Sequence, residues 1–292
     1  MDGLIFCISQ NNQYYYEKAF GISILNWQLF LVMNPIGFNY YGFIKGNYEV
    51  LNGVNADSET FVSRAEEAYG FSRVLFDSSV DDLRVWQSPH MIIVDDYYMP
   101  YHPSYKKNHY ERFVISQSRE DDHAVVFDME SHTIPMADLR RAAGKIFTLT
   151  LPDMTALERI NSMLLDEHSN KRSILSKKSI ENMHLFLSDF KKNKEIWGPE
   201  EFESLFFFIN KLGGPTATRR ATGLALNLLM QSTSTKEKLN ILEEKAQMCK
   251  ILANEWDIIG SLFFKASKLN RNHVLDRIEE RLKNVIGMEK EL

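Results

Sequence analysis

The sequence predicts an α+β fold whose first half mixes helices with a small antiparallel sheet and whose second half is an all-α helical domain. Three observations carry this expectation. The hydrophobic period changes near residue 150, from mixed spacing to a sustained three-and-four spacing. The stretch Met91–Asp128 reads as a short apolar strand followed by a β-hairpin. Beyond residue 150 the apolar patterning is helical throughout. The expected domains are therefore 1–150 and 151–292, with no internal repeat, low-complexity segment or Gly/Ser linker between them.

Along the first half, Asn11–Met33 carries Tyr14, Tyr15, Tyr16, Phe20, Trp27 and Phe30 at the spacings of a buried or half-buried helix, which Asn34-Pro35-Ile36-Gly37 breaks. Phe38–Tyr48, with alternating aromatics and two glycines, suggests a strand pair or an irregular β segment. Ser58–Tyr69 fits a short helix that Gly70 is placed to close. Met91–Val94 is an apolar strand ending in Asp95-Asp96, and the turn-rich Met99–Pro103 follows it. Phe113–Ser116, a polar turn over Ser118–Asp122, and Ala124–Asp128 form the hairpin. Pro135 then opens a short helix over Met136–Ala143.

In the second half Pro152-Asp153 starts one helix and Ser179–Phe190 supplies another. Gly198-Pro199-Glu200-Glu201 opens a third, with Phe202, Leu205, Phe206 and Ile209 on its apolar side, and Gly213-Gly214-Pro215 stops it. Thr218–Met230 is a helix of small residues. Lys236–Phe264 is long, and its seam of Leu239, Leu242, Ala246, Cys249, Ala253, Trp256, Gly260 and Phe263 is set to pack within a bundle or across a homodimer.

Composition narrows the function classes. A net charge of -5 with 44% hydrophobic residues lacks the concentrated basic surface that phosphate backbones demand, so a carrier protein or a small molecule fits better than nucleic acid. The two cysteines, Cys7 and Cys249, stand in no zinc-binding spacing and make a disulfide scaffold improbable. No apolar run reaches membrane-span length and no basic stretch precedes the first apolar residues, so the expected address is the cytoplasm. Asp95 and Asp96 lack further partners at metal-ligand spacing and are expected to hydrogen-bond the turn that follows them. Gly213-Gly214-Pro215-Thr216 lacks the Lys-Ser/Thr of a phosphate loop.

Acyl transfer through a thiol needs a thiolate near a helix N-terminus, an imidazole that takes its proton and an acceptor that orients the imidazole. Cys7 stands ahead of the aromatic helix, and the hairpin lies far along the chain. The run Val94-Asp95-Asp96-Tyr97-Tyr98-Met99-Pro100-Tyr101-His102-Pro103-Ser104-Tyr105, then Asn108-His109-Tyr110, the hairpin closing at Asp128 and the segment Met136–Ala142 together resemble the N-terminal domain of the butirosin biosynthesis protein H family. The helical half, with Trp256 in its long helix, is similar to the helical region that follows in that family. The resemblance implies a papain-like, cysteine-peptidase-type N-terminal domain. It also implies a thiol-dependent acyltransferase or thioesterase that takes an acyl or aminoacyl group from a carrier protein's phosphopantetheine thioester, with a small-molecule amine as acceptor, in nonribosomal peptide or other antibiotic biosynthesis. The chain would bring no cofactor of its own. Residue by residue, the resemblance places the nucleophile at Cys7 and the acidic residue at Asp128. The family's base position is Arg112 here, and Ser116-Gln117-Ser118 replaces its Gly-Tyr-Asp.

If the hairpin turns symmetrically about Glu120, positions summing to 240 face one another, so Arg112 meets Asp128 and His109 falls near Ser131 and His132. An arginine is no base at neutral pH. Arg112 and Asp128 then form an ion pair in the triad's place, or His109 curls back as a relocated base that Asp128 orients. Tyr97 and Tyr98 read as core and cleft wall, and Lys106-Lys107 and Arg140-Arg141 as basic patches that meet water or a carrier protein's acidic helix and phosphate. Cys7 as an inert buried thiol is the competing reading, and with it a catalytically degenerate relative that serves as a binding or scaffolding protein. Cys249 reads as a seam residue of its helix.

Overall fold

The computed structural model describes residues 7–33, 37–38, 58–107, 109, 111–170, 172–210, 214–269 and 272–292, with the side chains of 7–9, 58–62 and 272 outside that description. The β segment expected over Phe38–Tyr48 falls outside the described residues after Phe38. The fold is α+β. The chain divides into two compact units, one on Ile5–Leu29 and Val62–Ile160, the other on Phe30–Phe61 and Asn161–Leu292. The change of hydrophobic period put a single boundary at 150, whereas here the chain enters the helical unit at Phe30, leaves it at Phe61 and returns at Asn161.

The aromatic run near the N-terminus is two helices, α1 (Cys7–Phe20) and α2 (Asn26–Met33), where one was expected. Gly21, at φ +67°, ends α1 with its N–H on the Glu17 carbonyl at 3.0 Å, a left-handed closure that costs glycine nothing. The helix α3 (Ser58–Tyr69) ends as expected on Gly70, at φ +66°. Six strands follow: β1 (Arg73–Leu75), β2 (Met91–Asp95), β3 (Glu111–Glu120), β4 (His123–Asp128), β5 (Glu130–Pro135) and, after the short helix α4 (Met136–Ala142), β6 (Ala143–Leu149). They form one sheet in the order β1-β6-β2-β3-β4-β5, each pair antiparallel. Alternation sends Ile92, Val94, Val114, Val126 and Ile134 to one buried cluster, which Met136 and Leu139 of α4 close. On the other side, Tyr14 of α1 stacks flat on Phe127 at 3.9 Å, and the Tyr15 hydroxyl accepts the Leu149 N–H at 2.8 Å.

The hairpin register differs from the one expected. Ser118–Glu120 stay in β3, so the turn is only Asp121-Asp122, with Asp121 at φ +37°, and Glu120 pairs with His123. A bulge between Ser116 and Ser118 then shifts the pairing by one, giving Ile115 opposite Phe127. Extending that register puts Val114, not Arg112, opposite Asp128. Arg112 is the diagonal neighbour on the same face, within reach of a long side chain.

The helical unit contains α5 (Met154–His168), α6 (Lys177–Asn193), α7 (Pro199–Asn210), α8 (Pro215–Met230), α9 (Lys236–Lys268) and α10 (Asn272–Glu289), of which α5 begins before the division at Ile160. The α9 seam is buried at Leu242, Ala246, Cys249, Ala253, Trp256, Gly260 and Phe263, and α7, α8 and α10 of the same chain pack on α9. Leu239 is half-buried. Trp256 stacks on Phe38 at 5.4 Å and donates through Nε1 to Glu289 Oε1 at 2.7 Å. The same carboxylate oxygen accepts Nε of the fully buried Arg219 at 2.8 Å, so one ion pair ties α8, α9 and α10 together. Cys249 is buried in this seam and its thiol is pushed up to about 12, chiefly by burial, which makes it an inert core residue. No helix among the described residues is long and apolar enough to cross a membrane.

Candidate functional site

The strand alternation that builds the core also builds a polar cluster at one end of it. Arg112 lies two residues before Val114 on β3, and Asp128 two residues after Val126 on β4, so both stand on the face that carries Val94. Asp95 ends β2 and caps a short 3-10 turn, Asp96–Tyr98, by accepting the Tyr97 N–H at 3.0 Å. That is the role expected of Asp95. Asp96 departs from it: its carboxyl is buried, and it faces the guanidinium of Arg112.

Arg112 is held between two carboxylates. Its Nη1 is 2.9 Å from Asp128 Oδ2, and its Nε is 2.5 Å from Asp96 Oδ1. The Nε–H is not directed along the second contact, so Nε, Nη2 and Asp96 Oδ1 are left without a hydrogen-bond partner and the pairing with Asp96 is one of charge. The guanidinium also lies 5.7 Å from the Tyr101 ring. Asp128 is held from the other sides, with the Tyr101 hydroxyl donating to Oδ2 at 2.9 Å and Asn11 Nδ2 to Oδ1 at 3.4 Å. Asn11 itself is fixed, because its Nδ2 also donates to the Phe113 carbonyl at 3.0 Å and its Oδ1 accepts the Met129 N–H at 3.0 Å. The Tyr101 ring stacks on His132 at 3.7 Å. Of the alternatives left open at Asp128, the structure therefore contains the ion pair with Arg112.

No family model matches this chain, and no curated protein does.

His102 completes the cluster. It is half-buried, with Nδ1 3.3 Å from Asp96 Oδ2 and accepting the Ser104 N–H at 3.2 Å. Burial, reinforced by the charge of Arg112, pushes its imidazole down to about 4, so near neutral pH it carries its one proton on Nε2. Burial pushes the Asp96 carboxyl up to about 6 against the attraction of Arg112, with Asp128 and Asp95 adding repulsion. The contact between His102 and Asp96 is therefore no ion pair at neutral pH. As the carboxyl titrates, a proton on Oδ2 can be donated to the imidazole nitrogen. The Tyr101 hydroxyl is raised as well, by burial and by Asp128.

His109 is elsewhere. It precedes β3, its exposed ring stacks on Tyr97 at 4.3 Å, and its Nδ1 sits 2.6 Å from Asp95 Oδ2. Its carboxylate partner is thus Asp95, whereas the sequence reading considered Asp128. Tyr97 and Tyr98 are half-buried around this imidazole, and Lys106 and Lys107 are exposed beside them in the chain. Cys7 is the first residue of α1, one helical turn before Asn11, and its side chain lies outside the described residues. Arg140 is committed to Asp81 at 2.9 Å. No group of His, Cys, Asp and Glu side chains suited to a metal ion occurs among the described residues.

Four members of the cluster were not foreseen as such from the sequence: Asn11, Asp96, which was expected to bond the following turn, Tyr101 and His102. Three of them belong to the Asp-Tyr-Tyr-x-Pro-Tyr-His-Pro segment, whose density of polar side chains between prolines was the available signal. Asn11 had none beyond its position one turn after Cys7.

Proposed function

We propose that this protein is a catalytically silent relative of papain-like thiol acyltransferases that binds a carrier protein, with its phosphopantetheine-linked acyl group, rather than turning it over. The observation that carries the reading is the Arg112 guanidinium bridging Asp96 and Asp128. A group that cannot release its proton at neutral pH holds the carboxylate that an imidazole would need. The resemblance to the butirosin biosynthesis protein H family supplies the rest: a nucleophile position at Cys7, an acidic position at Asp128, and secondary-metabolite or nonribosomal peptide synthesis as the setting. Exposed Lys106 and Lys107 suit the phosphate of the carrier's arm, and Tyr97 and Tyr98 suit its acyl chain.

A second reading keeps the chemistry as a thiol-dependent acyltransferase or thioesterase. The His109–Asp95 pair favours it, because a carboxylate at Nδ1 leaves Nε2 free to take a proton. Intact-mass spectrometry with an acyl-pantetheine thioester separates the two. The silent reading expects Cys7 to acylate no faster than an unactivated thiol, with His109→Ala making no difference. Rapid single acylation that is lost in Cys7→Ala and slowed in His109→Ala would overturn it in favour of the enzyme.

A further inference from the structure

Gly37 and Phe38 lie buried in the helical unit, and among the described residues no backbone group of either meets another backbone group. Side chains of α6 and α8 answer them instead. The Phe38 N–H donates to Ser179 Oγ at 3.1 Å, Asn182 Nδ2 donates to the Phe38 carbonyl at 3.1 Å, and Arg219 Nη1 donates to the Gly37 carbonyl at 3.3 Å. The Phe38 ring is fully buried, stacked on Trp256 of α9 at 5.4 Å and 6.1 Å from Phe186 of α6. By contrast, in the connection into α5 the Thr150 and Asp153 N–H groups bond to the backbone carbonyls of Ser72 and Tyr69.

The groups that grip this segment are themselves fixed. Glu289 Oε1 accepts Arg219 Nε at 2.8 Å and Trp256 Nε1 at 2.7 Å, so one carboxylate on α10 positions both the guanidinium that holds a carbonyl and the indole that holds the ring. Arg219 Nη1 also donates to Thr218 Oγ1 at 3.1 Å, and Ser179 Oγ lies 3.0 Å from the hydroxyl of Ser176, the N-cap of α6. None of these supports passes through Gly37 or Phe38. Arg219 Nη2 and Glu289 Oε2 are buried without a hydrogen-bond partner, and an ion pair so placed stabilises weakly. What it supplies is position. One N–H, two carbonyls and one aromatic ring are met together, as a preorganised site meets a peptide. We propose that α6, α8 and α9 form a receptor for a phenylalanine-bearing peptide, filled here by the chain's own Gly37–Phe38, which binds and leaves as a latch while the helices stay folded. Its departure breaks no backbone–backbone hydrogen bond among the described residues and leaves Arg219 and Trp256 held by Glu289. The chain enters the helical unit at Phe30 and leaves it at Phe61, so the latch fastens that excursion.

Amide hydrogen exchange on the full chain reads the release. The Phe38 amide should exchange about tenfold or more faster than the amides of Leu252 and Trp256 in α9. Equal protection would mean that the segment leaves only when the bundle unfolds, and would overturn the proposal. The double variant Gly37→Asp, Phe38→Asp sets two carboxylates against a buried site and so empties it. Titrated to about 10 mM, N-acetyl-Gly-Phe-amide should then shift the Trp256 indole N–H resonance of the 15N-labelled variant saturably and leave that of the parent unmoved. Affinity should fall about fivefold or more when the phenylalanine nitrogen of the peptide is methylated, which removes the N–H that Ser179 accepts. The proposal fails if the peptide does not move that resonance in a variant whose helices circular dichroism finds intact, or if the methylated peptide binds equally. It fails too if toluene shifts the resonance as strongly, which would mark an apolar core hole. Should the variant not fold, exchange at Phe38 in the parent decides. None of these outcomes bears on the Arg112 cluster, which belongs to the other unit.

Discussion

At Arg112 one guanidinium stands between two buried carboxylates, Asp96 and Asp128. Two buried carboxylates would be costly without a cation between them, and the guanidinium offsets part of that cost while leaving Nη2 unused. The pairing predicts strong coupling. In a double-mutant cycle of Arg112→Met and Asp128→Asn, urea unfolding should give an interaction of about 1 to 3 kcal/mol. Additivity to within about 0.5 kcal/mol would mean that the contact contributes little. Asp96 makes a prediction of opposite character. Its folded carboxyl titrates at about 6 against an ordinary 3.8, so the native state holds the proton more tightly, and the stability it contributes is full below 3.8 and is lost as pH rises through 6. Asp96→Asn should therefore gain about 3 kcal/mol relative to the parent as pH rises through those limits, measured as unfolding free energy against pH. A constant difference across that range would contradict the burial of this carboxyl.

Glycines and short polar residues set the limits of the elements, and they also explain how much of the fold the sequence disclosed. Gly70 was legible as the stop of α3 because only glycine holds φ +66° at no cost. A Cβ there would also meet that of Asp153 at 2.8 Å. Gly70→Ala should lose about 1 to 3 kcal/mol, whereas Gly144→Ala on β6, where the nearest atom is 3.7 Å away, should change stability by under about 0.5 kcal/mol in the same thermal melt. Gly21 carried the same signal within the aromatic run, but the helical spacing of the tyrosines on one side and Phe30 on the other outweighed it. The hairpin was legible from Val114, Val126 and their neighbours. Its register was not, because Gln117 reads like any polar strand residue and a bulge leaves no period of its own. The Arg112–Asp128 pair was foreseen all the same, since a register difference of three residues, cut to two by the bulge, left the two on one face. Asp96 was hidden because adjacent aspartates look alike in sequence, while the 3-10 turn leaves one half-exposed as its cap and sends the other inward. The seam of α9 was visible in its spacing. What covers it, α7, α8 and α10 of the same chain, depends on loop geometry that spacing does not encode.

Across the whole molecule the two units respond differently to acid. In the sheet-containing unit Asp96 and His102 shift in opposite directions over one pH range, and their contributions to stability oppose each other. In the helical unit His168 is buried with Nε2 unpartnered, and burial, with Lys245 nearby, pushes it down to about 4. Its folded value lies below the unfolded 6.5, so its contribution is present above 6.5 and is lost as pH falls toward 4. Hydrogen exchange should show the helical unit loosening first in that window, and His168→Leu should remove about 3 kcal/mol of the pH dependence. Equal loosening of both units, or no effect of the substitution, would count against it. The proposed function rests on three elements, with Cys7 as the proposed nucleophile on α1, Asp128 on β4, and Arg112 on β3 where the resemblance would place a base. Acylation of the full chain by an acyl-pantetheine thioester, followed by intact mass, compares Arg112→His with the parent. The account predicts that the parent acylates no faster than an unactivated thiol and that the histidine variant acylates at Cys7 about a hundredfold faster or more. A parent that acylates as fast as the variant would contradict it.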